Sequence, residues 1–199
     1  MNIEERCLKE VKKRYKHNRE SRGKEIEQEK LNKLLRHSKK VRKISLKISE
    51  TLGVSDRDKK LIGIAALLHD IEKPKKKHNE KGAEFIKKKA KKYYEKNDKY
   101  FLGCTDEEIE LISLMIKYHK KEGYMDRELN DRELKMTEIV RIADKIAKLY
   151  KKKNIKTKKK INETKSEVKD EINKLINEEV KEEAKNILKK RLKKLEELT

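Results

Sequence analysis

The chain has 199 residues, of which 48% are charged, and its formal net charge is +21. That length can bury a core in one domain, or in a domain with an appendage. One proline, six glycines and 5% aromatics argue against an all-β sandwich, which needs frequent turn residues. No apolar run nears the ~18 residues that span a bilayer, and no signal peptide opens the chain, so a soluble all-α protein without membrane contact is expected. Cys7 and Cys104, the two cysteines, form neither a CxxC nor a disulfide framework, which makes a reducing, cytoplasmic compartment the default.

Residues 1–30 are charged, with few apolar positions (Ile3, Leu8, Val11, Ile26). A frayed or docked helix is expected there, broken near Arg22-Gly23. From 31 to 52, Leu31, Leu34, Leu35, Val41, Ile44, Ile48 and Leu52 recur every three or four residues, an amphipathic helix that Gly53 can terminate. His37 lies on that stripe, on one face with positions 41, 44 and 48. Residues 58–71 are apolar all round, which predicts a helix buried on most sides. His69-Asp70 closes it, and Pro74 cannot continue it. A Lys-rich stretch follows, with a helix expected over 82–94.

Thr105-Asp106-Glu107-Glu108 has the form of a capping box. The helix it opens, 106–120, carries Ile109, Ile112, Met115, Ile116 and His119 on one face and is expected to end at Gly123. Residues 131–150 hold Ile139, Val140, Ile142, Ala143, Ile146 and Ala147, with Asp144 inside that apolar set. Seven lysines in residues 151–160 suit a domain boundary or a solvated helix. Residues 161–199 read as one long amphipathic helix, packed back on the domain or on a second subunit of a homodimer. The expected organisation is a charged N-terminal segment (1–30), a helical domain (31–155) and a C-terminal helical extension (156–199).

Four of the five histidines, His37, His69, His78 and His119, fall in the apolar middle of the chain. Asp70 and Asp144 sit in or at the end of buried helices, where a carboxylate is costly unless paired or metal-bound. Neutral imidazoles with carboxylates form the ligand set for Mn, Fe, Co, Ni, Zn or Mg. Taken singly, each has a bland alternative: a hydrogen-bonded core histidine, or an N-cap or ion-pair partner for Asp144. Lys73 either meets a substrate phosphate or is solvated. Arg141 either clamps a phosphate or pairs with Asp144 or Glu138. Glu72 is a general acid/base or, more in keeping with its lysine-rich neighbours, a surface charge, and His17 is expected to be exposed.

In order and context, His37, His69-Asp70 and Asp144 resemble the H…HD…D pattern of the HD superfamily of metal-dependent phosphohydrolases. The stretches Ala65-Ala66-Leu67-Leu68-His69-Asp70-Ile71, Gly103 to Ile112 running to His119-Lys120-Lys121, and Ile139-Val140-Arg141-Ile142-Ala143-Asp144 are similar to the C-terminal HD domain of the exopolyphosphatase/guanosine pentaphosphate phosphohydrolase family. The resemblance covers about residues 31–155. It implies an HD-type helical bundle in which His37, His69, Asp70 and Asp144 hold one divalent metal. His78 and His119 would hold a second, with Asp70 bridging the two. It further implies hydrolysis of a phosphoester or phosphoanhydride, as in a nucleotide, by metal-activated water, with Asp70, Lys73, His119 and Arg141 as the catalytic set.

Three features depart from the family. Some two-metal members carry paired histidines where this chain has only His119, so one or two ions are expected. Glu72 stands where many members have glycine. The ATPase-like domains with which exopolyphosphatases degrade their polymer, and any Gly-rich phosphate loop, are missing from the sequence, so polyphosphatase activity does not carry over. The basic excess, +16 of it within residues 1–100, also fits an alternative: a catalytically weak module binding nucleic acid or polyphosphate. Against that, lysine outnumbers arginine 47 to 11, and base readers favour arginine forks.

Overall fold

The computed structural model describes residues 2–120, 129–150 and 157–197. Its elements are α1 (Ile3–Glu20), α2 (Gln28–Thr51), α3 (Asp56–Leu68), α4 (His78–Asn97), α5 (Asp106–Tyr118), α6 (Asp131–Ala147), α7 (Lys158–Asn173) and α8 (Glu178–Glu196), with one 3₁₀ turn at Phe101–Gly103 and another at Lys148–Tyr150. No strand occurs among the described residues, so the fold is all-α as the sequence indicates. No described helix is long and apolar enough to cross a membrane.

The centre of the bundle is α3. Every residue from Leu61 to Leu68 is buried, because α1, α2, α5 and α6 all pack against it. Each leucine or isoleucine withdrawn from water there contributes about 1.5–3 kcal/mol. Around it, α2 lies against α6, and α4 against α5. Local chemistry sets the helix starts. Ser55 Oγ accepts from Asp58 N at 3.1 Å, and Thr105 with Glu108 closes the expected capping box (3.4 and 2.9 Å). Gly53 follows α2 at φ +60, the left-handed conformation that a helix stop favours.

The N-terminal segment is a docked helix, not a frayed one: Cys7, Leu8, Val11, Tyr15 and Asn18 form its buried face. The helix expected over 82–94 is longer, beginning at His78 and ending at Asn97. Helix α5 stops at Tyr118, and Gly123 lies outside the described residues, as do 151–156 of the lysine run.

The C-terminal extension corrects the single long helix. It is a hairpin, α7 and α8, broken at 174–177. No proline or glycine breaks it. The fully buried Glu138 of α6 instead accepts the backbone N–H groups of Ile176 (2.8 Å) and Asn177 (2.9 Å). Asn177 in turn caps α8, its Oδ1 accepting from Val180 N at 3.0 Å. A helix start leaves unpaired N–H groups, and a carboxylate fixed by a distant helix supplies the partners. Val168, Ile172, Val180, Ala184, Ile187 and Leu188 are buried as the hairpin packs on α6 and α2 of the same chain.

Candidate metal centre

Two helix C-termini build the core of the site. A helix leaves its last carbonyls without intrahelical donors. His69, just past α3, donates its Nδ1–H to Ala66 O (2.8 Å), and His119, just past α5, donates its Nδ1–H to Ile116 O (2.7 Å). A carbonyl only accepts, so these contacts fix the tautomer and leave each Nε2 with its lone pair directed inward. Both rings are fully buried. His37 joins them from α2, His78 from the first position of α4, and Asp144 from within α6. The four imidazoles form a chain, with centroids 5.3 Å apart for His37–His69, 4.9 Å for His69–His119 and 5.8 Å for His78–His119.

Asp70, 1% exposed, divides this chain in two. Its Oδ2 lies 3.1 Å from His69 Nε2 and 3.8 Å from His37 Nε2. Its Oδ1 lies 3.1 Å from His78 Nε2 and 3.8 Å from His119 Nε2. Asp144 Oδ1 closes the first set, 2.8 Å from His37 Nε2 and 3.6 Å from His69 Nε2. The ligand atoms group as His37–His69–Asp70, His69–His119–Asp144 and Asp70–His78–His119.

The decisive feature is what these atoms lack. His69 Nε2, His78 Nε2, His119 Nε2 and Asp70 Oδ1 are buried and make no hydrogen bond. At His69, a lone pair faces a carboxylate oxygen at 3.1 Å, which is repulsive unless a cation lies between them. Either a proton or a metal ion can be that cation. The imidazole and carboxylate donors fit a divalent transition metal or Mg.

Electrostatics agree. Burial raises the Asp70 carboxyl, but His69 beside it outweighs that and holds it well below the usual range. Asp144 is likewise held low against its burial by His37 and His69. Burial would lower His69, yet Asp70 and Asp144 together outweigh it and raise it to about 10, so the two carboxylates call for positive charge at that ring. Burial, then repulsion from His69, lowers His119 to about 3; burial also lowers His37. Neutral rings of this kind are ready ligands.

The structure thus brings together His37, His69, Asp70, His78, His119 and Asp144. Lys73 joins them, its Nζ donating to Asp70 Oδ2. Arg141 is buried and donates to Glu171 Oε2 of α7 at 3.0 Å, a partner not among those expected. Glu72 is not a surface charge. It is 1% exposed, accepting from Arg14 Nε and from Asn18 Nδ2 (3.2 Å), with Lys75 Nζ 2.6 Å away. It ties α1 to the turn that carries Asp70. His17 is exposed, as expected.

Two lysines were not singled out from sequence. Lys120 follows His119 and lies within electrostatic reach of Lys73, Asp70, Asp144 and Lys145; burial and then Lys73 lower its pKa. Lys145 follows Asp144, its Nζ 3.6 Å from Glu171. Their adjacency to ligands was the available signal, masked by a chain in which lysine is everywhere.

Comparison with known protein families matches residues 34–149 to the family described as HD domain. No curated protein and no solved structure matches the chain.

Proposed function

This chain belongs to the HD domain family, and from that premise we propose that it is a metal-dependent phosphohydrolase acting on a phosphoester or phosphoanhydride of a nucleotide. The observation that supports this most is Asp70, whose two oxygens face separate histidine pairs with no proton donor on Oδ1. His37, His69, Asp70 and Asp144 would hold one ion. His78 and His119, with the other oxygen of Asp70, would hold a second. Ions bound there supply Lewis acidity, lowering the pKa of water and drawing charge from phosphoryl oxygens.

The chain's own residues do the rest. The Nδ1 anchors of His69 and His119 hold the ligand atoms in register, so little reorganisation accompanies binding. Burial of Asp70 and of the histidine pairs keeps bulk water from competing with the reacting phosphate. Lys73 and Lys120 border the carboxylate pair, with Lys145 within electrostatic reach of Lys120, and would take the non-reacting phosphate oxygens as point charges. In this reading Arg141 supports α6 through Glu171 and does not touch substrate.

The test is a phosphate-release screen over nucleotides and inorganic polyphosphate with Mn²⁺, Co²⁺, Ni²⁺ and Mg²⁺, with Asp70→Ala as the blank. Release from at least one nucleotide, dependent on metal and absent in the variant, is expected. No release across the panel from metal-loaded protein, or equal release from the variant, would overturn the reading.

A further inference from the structure

A second concentration of charge lies away from the metal centre, on the α7–α8 hairpin. Four of its carboxylates face the domain. Glu171 accepts from Arg141 at 3.0 Å, Glu167 lies 3.3 Å from Lys148 Nζ, Glu179 lies 2.6 Å from Lys135 Nζ, and Glu183 accepts from Thr51 Oγ1 at 3.4 Å. The other side is a groove between the two helices of about 980 Å³. Lys165 and Lys169 of α7 and Lys185, Lys189, Lys190 and Lys193 of α8 line it, and no carboxylate does.

Two lysines elsewhere on these helices pair with a glutamate one turn away, Lys160 with Glu163 and Lys181 with Glu178. In the groove, Lys185 has Glu182 at 2.5 Å. Among the described residues, the other five have no carboxylate within ion-pair reach. Five like charges around one concavity repel one another, and an anion relieves that repulsion.

The floor indicates which anion. Ile172 and Leu188 are only 1% and 4% exposed and Leu192 is partly buried, so the apolar floor lies beneath a rim of lysine ammonium groups, which favours an anion. Asn173 and Asn186, both exposed, offer neutral amide donors suited to phosphate and sugar oxygens. The lining contains no aromatic ring on which a base could stack and no arginine to read a base edge. Lys165–Lys169 and Lys185–Lys189–Lys193 recur every four residues, a step of about 6 Å along a helix axis, which suits the phosphate repeat of an extended strand. A second copy of this chain is disfavoured by its own charge of +21.

We propose that the α7–α8 groove binds the phosphate backbone of a single-stranded nucleic acid without base preference. The site shares no residue with the metal centre, so it stands or falls apart from the hydrolase reading. The test uses the full chain, a fluorescein-labelled 20-nucleotide oligouridine and fluorescence anisotropy in EDTA, which prevents metal-dependent turnover, over a salt series. Each neutralised phosphate contributes about −0.7 to the slope of log affinity against log salt, so the five unpaired lysines give about −3.5. Replacing Lys165, Lys169, Lys189 and Lys193 with Gln should bring the slope to about −1 and weaken binding more than tenfold. A control removes the same charge from exposed α4 (Lys88→Gln, Lys91→Gln, Lys92→Gln, Lys96→Gln) and should stay within threefold of wild type. Circular dichroism checks that both variants remain helical. Equal losses in the two variants, equal competition by unlabelled duplex, or equal competition by a polyglutamate peptide of matched charge would overturn the proposal.

Discussion

Around Asp70, two carboxylates and four imidazoles are withdrawn from water and held within a few ångströms of one another, whereas on α7 and α8 the groove lysines stand in solvent on flexible stems. In the first region His69 and His119 are anchored to the last turns of their own helices, at Ala66 and Ile116, and the ring nitrogens that remain unpaired are aimed inward. In the second, charge is plentiful and each group is cheap to solvate. The net charge of +21 is therefore a poor guide to function. A few buried groups that cannot reach water define the chemistry, and the many exposed ones define only which polyanions approach.

The contrast can be broken at several points. The largest effect is expected at the centre itself. His69→Ala or Asp144→Asn should lower any metal-dependent turnover by more than the ~10–100-fold that outer-shell changes typically cost, while thermal unfolding stays cooperative. A variant that keeps a tenth of the wild-type rate would mean that the inward-facing set is not the reacting one.

Next comes the tie between α1 and the Asp70 turn. Glu72→Ala leaves Arg14 and Lys75 without their carboxylate and Asn18 buried without its acceptor. Because the two cations are each about a fifth exposed (22% and 21%), the cost should fall below that of a fully buried pair. About 2–3 kcal/mol is expected in urea unfolding; a change under ~0.5 kcal/mol would show that α1 docks through its apolar face alone. At the hairpin, Glu138→Gln weakens the cap on α8 by trading a charged acceptor for a neutral one, and about 1–2 kcal/mol is expected. An unchanged urea midpoint would show that the break at 174–177 needs no outside partner.

The smallest effect concerns Cys7. Burial, helped by Cys104, pushes its thiol up to about 12, whereas the thiol of an unfolded chain ionises near 9. The folded state therefore binds the proton more tightly, and this contribution is complete below pH 9 and lost as pH rises toward 12. The urea midpoint should decline between pH 8.5 and 10.5 more steeply in wild type than in Cys7→Ala, and iodoacetamide should leave the native thiol unmodified at pH 8. Parallel declines, or rapid alkylation, would contradict the buried placement.

Much of the centre was legible because helical periodicity reports faces. The spacing of Val41, Ile44 and Ile48 put His37 on an apolar stripe, and that of Ile112, Met115 and Ile116 did the same for His119. Periodicity is silent where a residue's partner is remote in sequence. Glu72 read as solvated because its neighbours are lysines, yet its partners lie 58 and 54 residues away on α1. Asn18 carried a faint signal, extending the 7–8–11–15 stripe of α1 by one step. The break between α7 and α8 was hidden for the same reason, since the carboxylate that supports it lies 38 residues earlier. Asn177 followed by Glu178 and Glu179 was a readable helix start, overridden by the continuous apolar pattern across it.

The account rests most directly on the metal content of the native chain. Protein dialysed against Mn²⁺ and then desalted should retain between one and two equivalents per chain by plasma mass spectrometry, with Asp70→Ala retaining less than a tenth of an equivalent. Equal metal in wild type and Asp70→Ala, or none in either, would contradict it.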